Sequence, residues 1–532
     1  MSNQMPFEID QIASIAQVLP STISFCDLPS LIAQSASKRP EAFAIVDGDR
    51  RINYTTLDRM ADRIAASLQR DGVKPRQVVA ICASTSAEYV AVFLGVLKAG
   101  AVVAPLSPSA TPNQLIAMLQ DANAQKFFVD QFVFETLNDS VKRLPNRIHM
   151  IQIDGHQELS LKQWLASDSN QFLQVKIEPD WTFNLIYSSG TTGIPKGIVQ
   201  SHQMRWLQLQ YSPLSGFCPS TITLIATPMY SNTTMTTLLP TLAFGGCLVL
   251  MSKFDTASFL KLAQSEKVTH TMLVPVQYQR LLAFKNFDKF NLNSFLVKFC
   301  TSAPLSAACK AEIVSRWPGT LIEYYGMTEG GGTCMLISNL YPKKLHTVGQ
   351  PVPGHDIRLI DEYGLEVNPG EVGEVVGRSS TMMDGYRNQA SKTSESYWVD
   401  SEGNRFIKTG DIGRFDKDGF LILLDRRKDM IISGGFNIYP SDLENVILNH
   451  PAVFDTAVVG VPSEEWGETP MAFVVRRKNF VISEAEILNW ANRQLGKTQR
   501  IKAVKFIDEL PRSAIGKILK RELRDSWTAT FS

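Results

Sequence analysis

The chain is expected to be an α/β protein of more than one domain, and three observations point there. Its 532 residues exceed what one hydrophobic core ordinarily accommodates. Segments of helical and strand periodicity alternate from Thr56 to about Leu340, the pattern of layered units with largely parallel sheets. Beyond Leu340 the texture changes twice. A glycine- and proline-punctuated β-rich stretch comes first; past Asp425-Arg426-Arg427-Lys428-Asp429 a terminal segment follows with its own helix–strand alternation. The expected arrangement is a large N-terminal domain of layered α/β subdomains over residues 1–427, β-rich from about 341 to 427, and a small C-terminal α+β domain over 428–532.

The elements follow in order. Leu57, Met60, Ile64 and Leu68 repeat at helical spacing, with Thr55 as the expected cap and Gly72 after the end. Val78 to Cys82 reads as a buried strand. The apolar stretch Val90 to Leu106, broken by Lys98 and Gly100, predicts a buried helix that stops at Gly100 and runs into a strand at Ala101 to Pro105, not a membrane span. Phe183 to Ile186 predicts a strand, as does Glu374-Val375-Val376. Ser483 with Glu486 forms a capping box for a helix carrying Ile487, Leu488, Ala491 and Leu495.

Composition excludes several function classes. Apolar residues make up 44% and charged residues 20%, the balance of a globular protein. With 53 basic and 52 acidic side chains the formal charge is +1, so bulk electrostatics favour neither nucleic acid nor an anionic membrane surface. Seven scattered cysteines, an odd number without metal-ligand spacing, fit a reduced compartment, and a cytoplasmic location is expected. The seven histidines are equally dispersed, which argues against a zinc site. No secretory signal or integral membrane segment is read, and the oligomeric state is not legible.

The strongest local signal is Tyr187-Ser188-Ser189-Gly190-Thr191-Thr192-Gly193-Ile194-Pro195-Lys196-Gly197, following the predicted strand at Phe183. Glycines let backbone N–H groups approach a phosphate, hydroxyls add donors and a lysine adds positive charge. It is not a Walker loop, because Pro195 stands where that pattern requires glycine before its lysine.

The string Ser188 to Gly197 resembles the signature loop of the acyl-adenylate-forming superfamily, which includes acyl- and aryl-CoA ligases, nonribosomal adenylation domains and luciferases. The resemblance extends along the chain in family order. Ser302-Ala303-Pro304 resembles the adenine-walling stretch, with Thr301 and Ser302 where two glycines are usual. Tyr325-Gly326-Met327-Thr328-Glu329 resembles the second nucleotide motif, and Thr409-Gly410-Asp411 the ribose motif. Asp425 to Asp429 with Ser433-Gly434-Gly435 resembles the hinge and the loop after it, and Pro511 to Lys517 the C-terminal lysine motif.

The resemblance implies a mobile C-terminal lid and two half-reactions: ATP and a carboxylic acid give an acyl-adenylate and pyrophosphate, then a thiol takes the acyl group. Ser188, Ser189, Gly190, Thr191, Thr192, Gly193 and Lys196 would hold phosphates. Ser302, Ala303, Pro304, Tyr325, Gly326 and Met327 would hold adenine, with Thr328 near the α-phosphate. Glu329 would bind Mg2+, a hard cation suited to oxygen ligands. Asp411, helped by Arg426, would hold the ribose. Lys517 would act in the first half-reaction, its ammonium touching both carboxylate and phosphate. Rotation about Lys428 would then exchange Lys517 for the Gly434-Gly435 loop, whose missing side chains leave room for a pantetheine arm.

The implied acceptor is coenzyme A, with Trp466 and Arg500 as coenzyme contacts; a stand-alone ligase loading a carrier protein is the alternative. A luciferase-like oxygenase and a non-catalytic nucleotide-binding protein are further alternatives, the latter at odds with the presence of Lys517 and Glu329. The acyl pocket is assigned to Tyr230, Ser231, Asn232 and Gly331, with Ser231 where many relatives carry histidine. No aspartate in Pro228 to Met235 is available to an α-ammonium group. An amino acid is therefore less expected, and Tyr230 and Met327 fit an apolar or aromatic acid. The phosphate loop with Ile198-Val199-Gln200-Ser201-His202 resembles bacterial aryl- or fatty-acid CoA ligases, which implies an aromatic (benzoate- or hydroxycinnamate-like) or medium- to long-chain fatty acid.

Overall fold

Lys98 explains why an apolar stretch can be interior helix. The computed structural model describes residues 24–144, 148–155, 160–167, 172–188, 196–433, 436–464, 466–477, 480–496, 499–513 and 516–531. Within it, Ala87–Lys98 is a helix buried on every face, and Lys98 is only 7% exposed because Asp58 and Asp62 of the preceding helix both accept from its ammonium. Gly100 stops that helix at φ +71°, and strand Val102–Pro105 follows.

The preceding helix, Tyr54–Arg70, begins earlier than its periodicity indicates. Asn53, not Thr55, is its cap: Asn53 Oδ1 accepts from Thr56 N at 2.9 Å. Tyr54 is fully buried and donates to Gly246 O at 2.7 Å, which draws the first turn into the helix. The two helices touch closely, since a Cβ at Gly95 would lie 2.6 Å from Ile64.

By its contacts the chain divides into two units, Met1–Asp356 with Gly377–Ile407, and Ile357–Val376 with Lys408–Ser532. Lys428 therefore lies inside the second unit.

The first unit contains two α/β sheets. In the seven-stranded sheet the order is Gly385–Tyr386, Lys196–Ser201, Thr182–Ser188, Val102–Pro105, Val78–Cys82, Lys126–Val129, His149–Gln152. Its last five strands run parallel, whereas Thr182–Ser188, Lys196–Ser201 and Gly385–Tyr386 pair antiparallel. The nine-stranded sheet is parallel through its centre and antiparallel at both ends. Central strands such as Val78–Cys82 are buried throughout, as unbroken apolar runs covered on both faces require.

The second unit includes part of strands Gly373–Arg378 and Arg405–Phe415 and all of Leu421–Arg426, which fall in the expected β-rich region. Its C-terminal part is α+β: a sheet ordered Phe436–Ile438, Ile431–Ser433, Gly467–Arg476, Val453–Ser463, with Ala503–Phe506 also on Gly467–Arg476. Helix Glu484–Gln494 has both halves of the expected capping box and buries Ile487 and Ala491. Leu495 is its extended C-cap residue rather than a helical one. Among the described residues no helix is long and apolar enough to cross a membrane. All seven cysteines are free.

Candidate active site

In the first unit the phosphate-loop motif closes a hairpin. Ser188 pairs with Lys196 and Tyr187 with Gly197, so the segment between them joins the strand ends. Ser189, Gly190, Thr191, Thr192 and Gly193 lie outside the described residues, as does the Ser188 side chain. Gly197 sits close under the Tyr187 ring, where a Cβ would lie 3.1 Å from it.

Lys196 and Glu329, 133 positions apart in the numbering, meet through a residue the motifs did not flag. The Lys196 ammonium lies 4.9 Å from the centroid of the Tyr386 ring, and the Tyr386 hydroxyl donates to Glu329 Oε1 at 2.9 Å. Burial, then the Glu329 carboxylate, pushes the Tyr386 hydroxyl well above its ordinary pKa, so it remains a donor. Thr328 is also held from outside its motif: Gln200 Nε2 donates to its carbonyl at 2.8 Å.

Gln200 belongs to a buried polar network around Arg205, a second group the sequence did not single out. Arg205 is 3% exposed and donates to Gln200 Oε1, to Asn232 Oδ1 at 2.9 Å, to Asn184 Oδ1 and to Gln208 Oε1. All four acceptors are neutral amides. Burial therefore lowers its pKa to about 9, with no carboxylate opposing the shift. Asn232, assigned to the acyl pocket, and Thr328, of the nucleotide motif, are thus tied into one network.

The other acyl-side residues have definite structural engagements. Ser231 is buried and caps helix Asn232–Ala243, its hydroxyl accepting from Thr233 N at 3.2 Å. Burial raises the pKa of the Tyr230 hydroxyl, and the neighbouring Ser107 and Ser109 hydroxyls oppose the shift. At Gly331 a Cβ would stand 2.5 Å from Ile407 Cβ, so packing alone requires glycine there. Gly330, at φ +76°, passes so close to Thr381 that a Cβ would fall 1.9 Å from its carbonyl oxygen.

Ser302 stands where a glycine is usual, and its backbone keeps the glycine conformation at φ +80°. A 2.7 Å hydrogen bond between the Ser302 and Thr233 hydroxyls holds it there. Ala303 and Pro304 follow in the same loop. Tyr325 ends strand Thr320–Tyr325, and Gly326, Met327, Thr328 and Glu329 lead into a turn closed by Gly330 N donating to Met327 O at 3.0 Å.

The second unit gathers most of the remaining predicted groups. Asp411 and Arg426 are cross-strand partners, 3.2 Å apart as an ion pair. The Lys517 ammonium is lowered to about pKa 8, first by burial and then by Arg426 and Lys428, while Asp411 and Asp429 oppose the shift. Lys517 is presented by a turn: Ser513 N donates to its carbonyl at 2.8 Å, Arg512 donates to Gly516 O at 2.7 Å, and Gly516 has φ +77°. Lys428 lies in the turn after Leu421–Arg426, flanked by anchored residues. Asp425 accepts from Ser441 N at 2.9 Å and Asp429 from Arg524 at 2.6 Å. Trp466 is 51% exposed and Arg500 is exposed. Gly434 and Gly435 lie outside the described residues.

The family model for AMP-binding enzymes matches residues 32–387, and that for the AMP-binding enzyme C-terminal domain matches 442–517. The chain belongs to the AMP-binding enzyme family. It is an AMP-forming acid–thiol ligase by class, as the order of its motifs implied. It is 31% identical over 500 residues to a feruloyl-CoA synthase of Amycolatopsis sp, covering 93% of this chain and 98% of the relative. With 4-coumarate–CoA ligase 2 of Nicotiana tabacum it shares 30% over 505 residues, 92% of this chain and 91% of that one. ATP-bound MatB from Rhodopseudomonas palustris superposes with a TM-score of 0.86 at 29% identity, covering 95% of this chain and 100% of that one.

This family match fits the donor set. Among the described residues no cluster of three or more His, Cys, Asp or Glu could hold a metal ion by itself. A single carboxylate, Glu329, with one oxygen engaged by Tyr386, suits Mg2+ that takes its other ligands from nucleotide phosphates and water. A cavity of about 420 Å³ opens among Ser84, Ser86, Glu88, Asp130 and Asp154, and none of the motif residues line it.

Proposed function

We propose that this AMP-binding enzyme activates an aromatic carboxylic acid, of the hydroxycinnamate or benzoate kind, as its acyl-adenylate and passes the acyl group to coenzyme A. The observation that carries the adenylation chemistry is the Asp411–Arg426 ion pair, 3.2 Å apart across two paired strands, whose charges reach the buried Lys517 ammonium. The names of the coumarate and ferulate relatives support the aromatic acid and the CoA acceptor.

In the first half-reaction a carboxylate oxygen attacks the α-phosphorus of ATP, and the bond from that phosphorus to the bridging oxygen of pyrophosphate breaks. Two anions must approach, so a positive charge that touches both lowers the barrier, and this is the role of Lys517. Asp411 accepts from the ribose hydroxyls, with Arg426 holding its carboxylate in orientation. Lys196, Thr191 and Thr192 bind the β- and γ-phosphates, and Tyr325 and Ser302 to Pro304 flank adenine. Mg2+, held at Glu329, would neutralise phosphate charge as pyrophosphate departs. In the second half-reaction the CoA thiol gives up its proton to water, its sulfur attacks the acyl carbonyl, and AMP leaves with the electron pair of the broken C–O bond. Lys428 is the pivot between the two, with Gly434 and Gly435 beside the pantetheine and Trp466 and Arg500 on the coenzyme. The proposed location is the cytoplasm, a reading that an odd number of scattered cysteines supports.

A pyrophosphate-release screen over aromatic and aliphatic acids, with and without CoA, tests this reading. Release should depend on an aromatic acid, and sustained turnover should require CoA. Turnover only with an added carrier protein would replace CoA as acceptor.

Two further outcomes follow. Burial, Arg426 and Lys428 lower the Lys517 ammonium to about pKa 8 in the free enzyme. It acts protonated, so adenylation at subsaturating ATP and acid should fall as pH rises through about 8. Rapid-quench adenylation rates from pH 6 to 10 measure this, and the alkaline limb should be missing from the residual activity of Lys517→Ala. Arg500→Ala should raise the KM for CoA roughly tenfold and leave pyrophosphate release intact, since one exposed charge-assisted contact is removed. Steady-state kinetics with CoA varied checks it.

A further inference from the structure

We infer that Tyr386 is a positioning residue that keeps Lys196 and Glu329 apart and aims each at its own part of the metal–nucleotide complex. The inference rests on the adenylation reading above.

Three observations carry it. The Tyr386 side chain engages both groups at once, its ring receiving the Lys196 ammonium at 4.9 Å and its hydroxyl donating to Glu329 Oε1 at 2.9 Å. Among the described residues Lys196 forms no ion pair with Glu329, although both contact the same tyrosine. The Tyr386 backbone is also clamped to the segments bearing both partners. Gly385 and Tyr386 pair with Val199 and Ile198, Arg387 N donates to Gly197 O at 2.7 Å, and Met383 N donates to Glu329 O at 2.8 Å. The segment Met383 to Arg387 is therefore a splint between the end of the phosphate loop and the Glu329 turn.

The chemistry requires such a spacer. A lysine and a carboxylate free to meet form a salt bridge, which would neutralise the cation needed by phosphate and occupy the oxygen needed by the metal ion. An aromatic face attracts the ammonium without neutralising its charge, so Lys196 keeps its formal charge for phosphate. A phenolic hydroxyl on Oε1 fixes the carboxylate rotamer and leaves Oε2 for the cation. Phenylalanine would retain the first function and lose the second; leucine would lose both.

The test uses the full chain with Mn2+ as a spectroscopic probe of the magnesium position and an ATP analogue carrying an α,β-methylene bridge, so that binding is read without turnover. Electron paramagnetic resonance gives Mn2+ affinity in the presence of the analogue, and calorimetry gives affinity for the analogue without metal. Tyr386→Phe should weaken Mn2+ binding on the order of tenfold, the loss of one hydrogen bond to a charged group, and leave metal-free analogue binding nearly unchanged. Tyr386→Leu should weaken both, because Lys196 then pairs with Glu329. Adding Glu329→Gln to Tyr386→Leu should restore metal-free analogue binding, a coupling that simple loss of packing would not produce. Wild-type Mn2+ affinity in Tyr386→Phe would overturn the inference while leaving the adenylation reading in place. Failure of the wild-type protein to bind the Mn2+–analogue complex would instead overturn that reading and this inference with it. Tyr386→Phe keeps the ring and its packing, so it decides the matter even if Tyr386→Leu does not fold.

Discussion

Lys517→Ala should slow acyl-adenylate formation at least about a hundredfold, a loss of about 2.7 kcal/mol of transition-state stabilisation. A preorganised charge aimed at two approaching anions acts only while the carboxylate is attacking phosphorus, so its removal appears in the rate of that step. The lysine's surroundings favour this role. Burial and two neighbouring cations, Arg426 and Lys428, already destabilise its charge, so an anion arriving beside it gains more than it would beside a solvated lysine. Thioester formation from a supplied acyl-adenylate should remain near its original rate. Rapid-quench measurement of each half-reaction separates the two. An equal fall in both would mean that Lys517 serves a common structural role.

Lys428→Pro should give the second large effect, in the opposite half of the cycle. The first turnover should still release pyrophosphate, while overall turnover falls by at least about tenfold, because the change of conformation that admits CoA is blocked. Rotation needs large φ/ψ changes at few residues, and proline fixes φ near −65°. Asp425 and Asp429 are each anchored, to Ser441 and Arg524, which leaves Lys428 among the few residues between them that can turn. Arg426 O accepts from both Asp429 N and Met430 N, so the turn itself is bonded outside Lys428. The melting curve should stay close to wild type, since Lys428 contributes no side chain to a hydrophobic core. Full turnover in this variant would move the pivot to Asp425 or Asp429.

Residues that act through local sequence were legible in the chain, and residues that act through tertiary contact were not. Asp411 and Arg426 carry their chemistry in recognisable strings, and the cross-strand register brings them together. The helix at Glu484 was legible because its capping box is written within four residues. Tyr386 reaches Glu329 across 57 positions, and Gln200 reaches the Thr328 carbonyl across 128. Nothing in their neighbours marks them. Arg205 was hidden for a related reason: in Ser201-His202-Gln203-Met204-Arg205 it reads as a surface charge, and only the fold buries it among amides. The cap of the helix at Tyr54 was misread because the buried Tyr54 hydroxyl bonds far along the chain, to Gly246. Ser302 shows the converse case, a departure from the family pattern that is resolved by a single partner, Thr233.

Transfer of a carboxylate oxygen to AMP tests the central claim most directly. An aromatic acid with both carboxyl oxygens labelled as 18O is incubated with ATP, Mg2+, CoA and the enzyme, and the nucleotide products are separated by mass. Attack of the carboxylate on the α-phosphorus predicts AMP carrying one 18O per turnover, unlabelled pyrophosphate and an acyl-CoA that keeps the other labelled oxygen. Label in inorganic phosphate, with ADP as the nucleotide product, would contradict it by showing activation through an acyl-phosphate instead.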